Sequence, residues 1–243
     1  MEIHRLNCLP TNVDTDHLLL LFSHQDSRIL EMEKITNVAN VTIGDCKESQ
    51  YIKPVRLHYV QSGKQQTWDA FKVHDSVCIL LYNKSRDVFL FVAQFRPAIY
   101  YNRAEVAEQN GTKFIDTGKY PGSLGVAYEL CAGIVDKACS LAEIAQAEVL
   151  EECGYKVPLD CIERITSYRA GVGTSGSLQT FFYAEVTDEM KVGSGGGTAQ
   201  EGELIEVVEV PVSEGRSFIM DETIVKPVGM MFAVFWFYEN KAK

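Results

Sequence analysis

Between Ser140 and Gly154 lies the segment whose two ends and inward face can all be read from the residues, and it constrains everything around it. Leu141 to Cys153 holds no proline or glycine. Ser140 stands where an N-cap hydroxyl is needed, Glu143 completes a capping box, and Gly154 supplies the stop. The spacing predicts a helix over 141–153. On a wheel at about 100° per residue, Glu148, Glu151 and Glu152 fall with Leu141, Ile144 and Ala145, on the side that should face the protein. Carboxylates so spaced repel one another, and partial burial adds several kcal/mol per ion unless each is compensated. A divalent cation is the simplest compensation, and carboxylate oxygens match the hard ions Mg²⁺ and Mn²⁺. A solvated acidic helix end is the bland alternative, and these three residues alone leave both open.

Strand patterns surround that helix. Val55–Val60 and Thr67–Val73 flank the turn Ser62-Gly63-Lys64 and read as a hairpin. Ser76–Tyr82 and Val88–Gln94 flank Asn83-Lys84-Ser85-Arg86, and a run of hairpins implies antiparallel sheet. Residues 100–122 are polar and long for a connection, which suggests a functional loop. Strands are expected at Val126–Leu130, Ile162–Arg169, Gln179–Val186 and Leu204–Val210. Val192–Thr198 reads as a flexible glycine-rich stretch just before Glu201-Gly202-Glu203. Pro227–Asn240 reads as a closing helix, whose stripe Val228, Met231, Phe232, Phe235 and Trp236 is expected in the core. The fold class is therefore α+β. Residues 1–50 show no sustained period and are assigned no function.

Composition excludes several classes. A net charge of −10 without a Lys/Arg cluster argues against nucleic acid. No apolar run approaches the ~18 residues needed to span a bilayer, the best candidate being Leu18–Phe22. The seven cysteines are scattered and form no CxxC pair, which points to the reducing cytosol and away from zinc. An anionic small ligand would need local positive charge or a cation.

The segment Gly133–Tyr155, GIVDKACSLAEIAQAEVLEECGY, resembles the Nudix box, with Gly133, Glu148, Val149, Glu151, Glu152 and Gly154 in register. Two positions depart: the box's first glutamate falls on Cys139 and its arginine on Ala147. Around it, HYVQSGKQQTWDAFKVHDSV, QFRPAIY, ELCAG, GVGTSGSLQTFFYAEVTD and EGELIEVVEVP are similar in order and spacing to the UDP-sugar pyrophosphatases of the ADP-ribose pyrophosphatase branch. The resemblance implies a Nudix fold over 51–243: a mixed sheet sandwiched between helices, with an antiparallel hairpin region at 51–75 and an extension at 1–50.

It also implies roles. Glu148 and Glu152 would be the principal metal ligands, Glu151 a ligand or orienter, and the Ala132 carbonyl a further ligand, with Gly133 giving a tight backbone turn. Glu201 matches a general base on a mobile loop and Glu203 a supporting ligand. Arg96 matches a phosphate-facing position, for which a guanidinium fork is well shaped. Trp68 and Tyr100 accommodate stacking on a base, a dimer contact or the core; His58 and His74 read as structural. The implied reaction is Mg²⁺-dependent hydrolysis of a nucleoside diphosphate sugar, UDP-glucose to UMP and glucose 1-phosphate, with Mn²⁺ as a substitute, by a cytoplasmic homodimer. ADP-ribose or ADP-sugars are the nearest alternative, disfavoured because Gly171 stands where ADP-ribose enzymes carry proline. Cys139 and Ala147 motivate another alternative, a Nudix-fold binding module that has lost catalysis.

Overall fold

The computed structural model describes residues 32–49, 51–198 and 202–242. Glu201 and the Leu18–Phe22 stretch lie outside them. In chain order the strands are β1 (Thr42–Ile43), β2 (Lys53–Gln61), β3 (Lys64–Lys72), β4 (Ser76–Asn83), β5 (Val88–Phe95), β6 (Ala107–Gln109), β7 (Thr112–Phe114), β8 (Val126–Glu129), β9 (Cys131–Ile134), β10 (Ile162–Ala170), β11 (Ser177–Val186) and β12 (Ile205–Pro211). The α-helices with both ends among the described residues are α1 (Pro97–Arg103), α2 (Leu141–Cys153), α3 (Val212–Met220) and α4 (Val228–Asn240).

The central sheet runs β10-β11-β4-β5-β12, with β9 added to the start of β4 and β8 to the end of β5. It is mixed, as the resemblance implies, and not wholly antiparallel: β11 pairs with β4 in parallel. Such a pair needs a long crossover, and here the crossover contains β5, α2 and β10. The expected strand Val126–Leu130 is two short strands, because the chain steps at Leu130 from the side of β5 to that of β4. That step positions the site.

One face of the sheet packs Ile79, Leu81, Leu90 and Phe182 against Ile144, Ala145 and Val149 of α2. The other packs Leu80, Phe89, Phe91 and Phe181 against Ile219 of α3 and Met230, Ala233, Val234 and Phe237 of α4. The sheet is thus sandwiched between helices. No helix among the described residues is long and apolar enough to cross a membrane.

Three expectations change. The buried face of α4 is Gly229, Met230, Ala233, Val234 and Phe237, whereas Val228 is 78% exposed, Phe232 41% and Phe235 39%. The helix is apolar on every side, so periodicity could not fix which face turns inward. Residues 100–122 are not one loop: Asn110 and Gly111, both at positive φ, turn a hairpin between β6 and β7, and β7 also pairs with β1. The glycine-rich stretch is tied down. Gly196 N donates to the Glu152 carbonyl at 2.9 Å and Gly197 N to that of Glu151 at 3.2 Å. Gly195, Gly196 and Gly197 all have positive φ, a path that only successive glycines follow without strain.

Candidate active site

The helix α2 begins and ends as its residues dictate. Ser140 accepts from Glu143 N, the Glu143 side chain returns to Ser140 N at 2.8 Å, and Gly154 closes the helix at φ 77. Between these caps the carboxylates separate by burial: Glu152 is 3% exposed, Glu148 is half-buried and Glu151 is exposed. The expectation that all three face the protein fails for Glu151, which lies at the edge of the apolar arc, next to solvent.

Glu152 is held by the adjacent strand. Its Oε2 accepts from Ala132 N at 2.9 Å. In the β4–β9 register Ala132 lies opposite Cys78, while the neighbouring Val135 donates to the Asp75 carbonyl. Alternation makes Ala132 a non-hydrogen-bonded pair, so its N–H and C=O both turn away from β4. The N–H meets Glu152, and the carbonyl opens on the same side, as a backbone ligand requires.

Glu148 lies directly over Gly133. A Cβ at Gly133 would fall 2.1 Å from Glu148 Oε1 and 2.2 Å from its Cδ. Gly133 is in a strand and is not among the positive-φ residues, so it does not provide the tight turn expected of it. What it provides is room for a carboxylate.

Burial and mutual repulsion between carboxylates dominate the electrostatics. Burial pushes the Glu152 carboxyl up to about 8; the Ala132 N–H opposes this, while Glu148 and Glu203 add to it. Burial also pushes Glu148 up to about 7, with Glu151 adding, Lys137 opposing and Glu203 adding. Glu203 is exposed, at the start of β12's approach, with Oε2 3.5 Å from Thr198 N. Its charge is felt at both helix acids and at Arg96, so these residues share one neighbourhood.

Arg96 follows β5 at the N-cap of α1 and is locked by a fork to Glu129: Nε to Oε1 and Nη2 to Oε2, each 2.7 Å. That bond raises the Arg96 pKa, and Glu152 and Glu203 raise it further. Glu129 was not singled out from the sequence, although it opens the ELCAG stretch; only its pairing with Arg96 reveals it. Tyr100 is 1% exposed, and its hydroxyl donates to the Tyr120 carbonyl. It is a core residue and offers no face to a ligand, which corrects the substrate-binding expectation. Trp68 lies outside this neighbourhood on the β2–β3 hairpin, its Nε1 donating to the Gly173 carbonyl at 2.8 Å.

No group of three or more His, Cys, Asp or Glu side chains among the described residues forms a ready-made metal cage. The donor set nevertheless fits an ion such as Mg²⁺, which takes one or two carboxylates and completes its shell with water and substrate phosphate. Two partly buried acids with raised pKa values and an outward carbonyl meet that need.

No family model matches the chain. Among curated proteins it is 46% identical over 216 residues, 85% of this chain and 96% of the relative, to uridine diphosphate glucose pyrophosphatase NUDT14 of Bos taurus. It is 44% identical over 218 residues, 86% of this chain and 96% of the relative, to the Mus musculus protein of the same name. A GDP-mannose pyrophosphatase of Pectobacterium atrosepticum matches at 31% over 161 residues, 66% of this chain and 71% of that protein.

Proposed function

The chain belongs to the Nudix hydrolases, and from that premise we propose that it hydrolyses the pyrophosphate bond of UDP-glucose, water entering and UMP and glucose 1-phosphate leaving. The observation that carries the chemistry is the placement of Glu148 over Gly133 beside Glu152 against Ala132. The substrate follows the names of the two relatives that this chain covers almost end to end.

Glu148, Glu152 and the Ala132 carbonyl hold the divalent cation in this proposal, Mg²⁺ with Mn²⁺ as substitute, and Glu203 supports it. Bound metal neutralises pyrophosphate charge and lowers the pKa of the attacking water. The residues do the rest. Arg96, fixed by Glu129, presents a guanidinium edge to phosphate oxygens. Glu151 orients the cluster through its charge on Glu148. Glu201 is the general base on sequence grounds. Binding and orientation convert the attack on phosphorus into an intramolecular step.

Residues 51–243 form the catalytic domain and 1–50 an extension. The hairpin β2–β3 supplies the contact of a homodimer. Scattered free cysteines suit the cytoplasm. Retention of Glu148, Glu152 and Glu203 in one neighbourhood favours catalysis over a binding module, despite Cys139 and Ala147.

Incubation with UDP-glucose and Mg²⁺ tests the proposal: UMP and glucose 1-phosphate should appear in equal amounts, and excess EDTA should stop both. Full turnover in chelator would defeat the metal assignment.

A further inference from the structure

On the sheet face opposite α2, the outward side of α4 carries apolar surface that no element among the described residues covers. Val228, 78% exposed, and Phe232, 41% exposed, border a groove of about 350 Å³ with Gly229. Its far wall is Thr166, Ser167 and Tyr168 of β10, the end strand of the central sheet. The walls are preformed. The Tyr168 hydroxyl donates to Gln179 Oε1 and lies 3.6 Å from Cys78 Sγ. A Cβ at Gly229 would fall 2.2 Å from that hydroxyl, so glycine lets helix and ring approach. The Phe232 ring is held 5.6 Å from Phe181 at 75°. An open apolar groove with a polar rim marks a place for a partner.

We propose that the Leu18–Phe22 segment of this same chain, which lies outside the described residues, docks in this groove. Three observations select it. Leu18, Leu19, Leu20, Leu21 and Phe22 are the densest apolar run in residues 1–31, and burying them against carbon removes both surfaces from water.

Charge agrees. Asp14 and Asp16 precede the run and Asp26 follows it. Along the groove, Arg164 and Arg169 of β10 are exposed and among the described residues bond neutral oxygens, Ser167 Oγ and the Gly176 carbonyl.

Reach agrees as well. Met32 packs with Tyr128 and Val208 against Ile35, Ala93 and Val126, and both Tyr128 and Val208 also pack beneath α3 and α4, so the chain enters on the face that holds the groove. Tyr128 N donates to the Val225 carbonyl, and Val228 follows three residues later. That path is on the order of 25 Å, within the roughly 33–36 Å that ten extended residues span between Phe22 and Met32. A second copy is the competing occupant, but the apolar face proposed for that contact is on the β2–β3 hairpin.

Chymotrypsin, which cleaves after large apolar residues, tests the docking in the full-length protein, with a free peptide of residues 12–28 as the unprotected reference. Wild type should be cut within 18–22 at least about 10-fold more slowly than the peptide. Val228→Asp puts a charge in the groove at the first residue of α4, where an acidic side chain suits the helix, so the fold should stand. It should bring cleavage to within about 2-fold of the peptide. In melting curves Leu20→Asp should lower the melting temperature of wild type by about 2–4 °C and leave that of Val228→Asp unchanged, because residues in contact are not additive. Wild type cut as fast as the peptide would overturn the proposal. Protection that survives both Val228→Asp and Phe232→Ala would do so too, as would a Leu20→Asp effect of equal size in both backgrounds. Protection lost on dilution would assign the groove to a second copy and overturn it as well.

Discussion

At Glu148 and Glu152 the protein holds two carboxyls that burial discourages from ionising, and their protonation links stability, metal and pH. Both folded-state pKa values lie above the ordinary carboxylate value, at about 7 and about 8. Each acid therefore favours the folded state fully only below its unfolded pKa, and that contribution is lost as pH rises through the folded value. The melting temperature of metal-free protein should fall between about pH 5 and about pH 8.5 relative to a Glu148→Gln/Glu152→Gln double variant. Added Mg²⁺ should restore more at the higher pH, since it competes with protons for the same oxygens. Parallel melting curves for both proteins would contradict this. In activity, Glu152→Gln should lower kcat by orders of magnitude with the fold intact. Gly133→Ala should do so too, because its methyl must displace the Glu148 carboxylate; a misplacement of about 1 Å can reduce rate roughly 10²-fold. Gly133 shows where sequence reading stops. Its position in the box was legible, but whether a glycine serves φ or space depends on a side chain fifteen positions away along the chain, and only the packed structure puts Glu148 there.

At the scale of elements, α2 was legible to the residue because Ser140, Glu143 and Gly154 each leave a local chemical mark. α4 was legible as a helix but not in its orientation, since apolar residues surround it. The β6–β7 hairpin was missed although Asn110-Gly111 is a strong turn signal, because the flanking strands are only three residues each and exposed. By composition the glycine run reads as mobile, whereas its N–H groups satisfy the last carbonyls of α2, which a helix otherwise leaves without partners. Gly195→Ala tests that stitch. Its Cβ would lie 2.3 Å from the Glu152 carbonyl, at a φ of +70 that costs a non-glycine residue about 1–2 kcal/mol. The melting temperature should fall by at least about 2–4 °C, and kcat should fall with it as Glu152 shifts. An unchanged melting curve would show that the loop is not fixed to the helix.

At the scale of the whole molecule, the hairpin β2–β3 pairs with no other strand among the described residues, and a lone hairpin is marginal in water. Val55, Leu57 and Tyr59 share one of its faces with Trp68, which pairs with Leu57, and all are at least 40% exposed. The opposite face carries the Arg56–Asp69 ion pair. An amphipathic ribbon with its apolar side open is what the proposed homodimer would cover. Light scattering should give about twice 27.2 kDa, and Leu57→Glu should shift it toward the monomer; a monomeric wild type at micromolar concentration would refute the dimer. The central claim is the substrate. Gly171 has φ +55 and its carbonyl accepts from Thr174 N, Ser175 N and Gly176 N, a conformation closed to the proline of ADP-ribose enzymes. Steady-state kinetics on UDP-glucose and ADP-ribose at matched Mg²⁺ and pH test it most directly. A higher kcat/KM for UDP-glucose is the result expected, and a preference for ADP-ribose would contradict the substrate assignment.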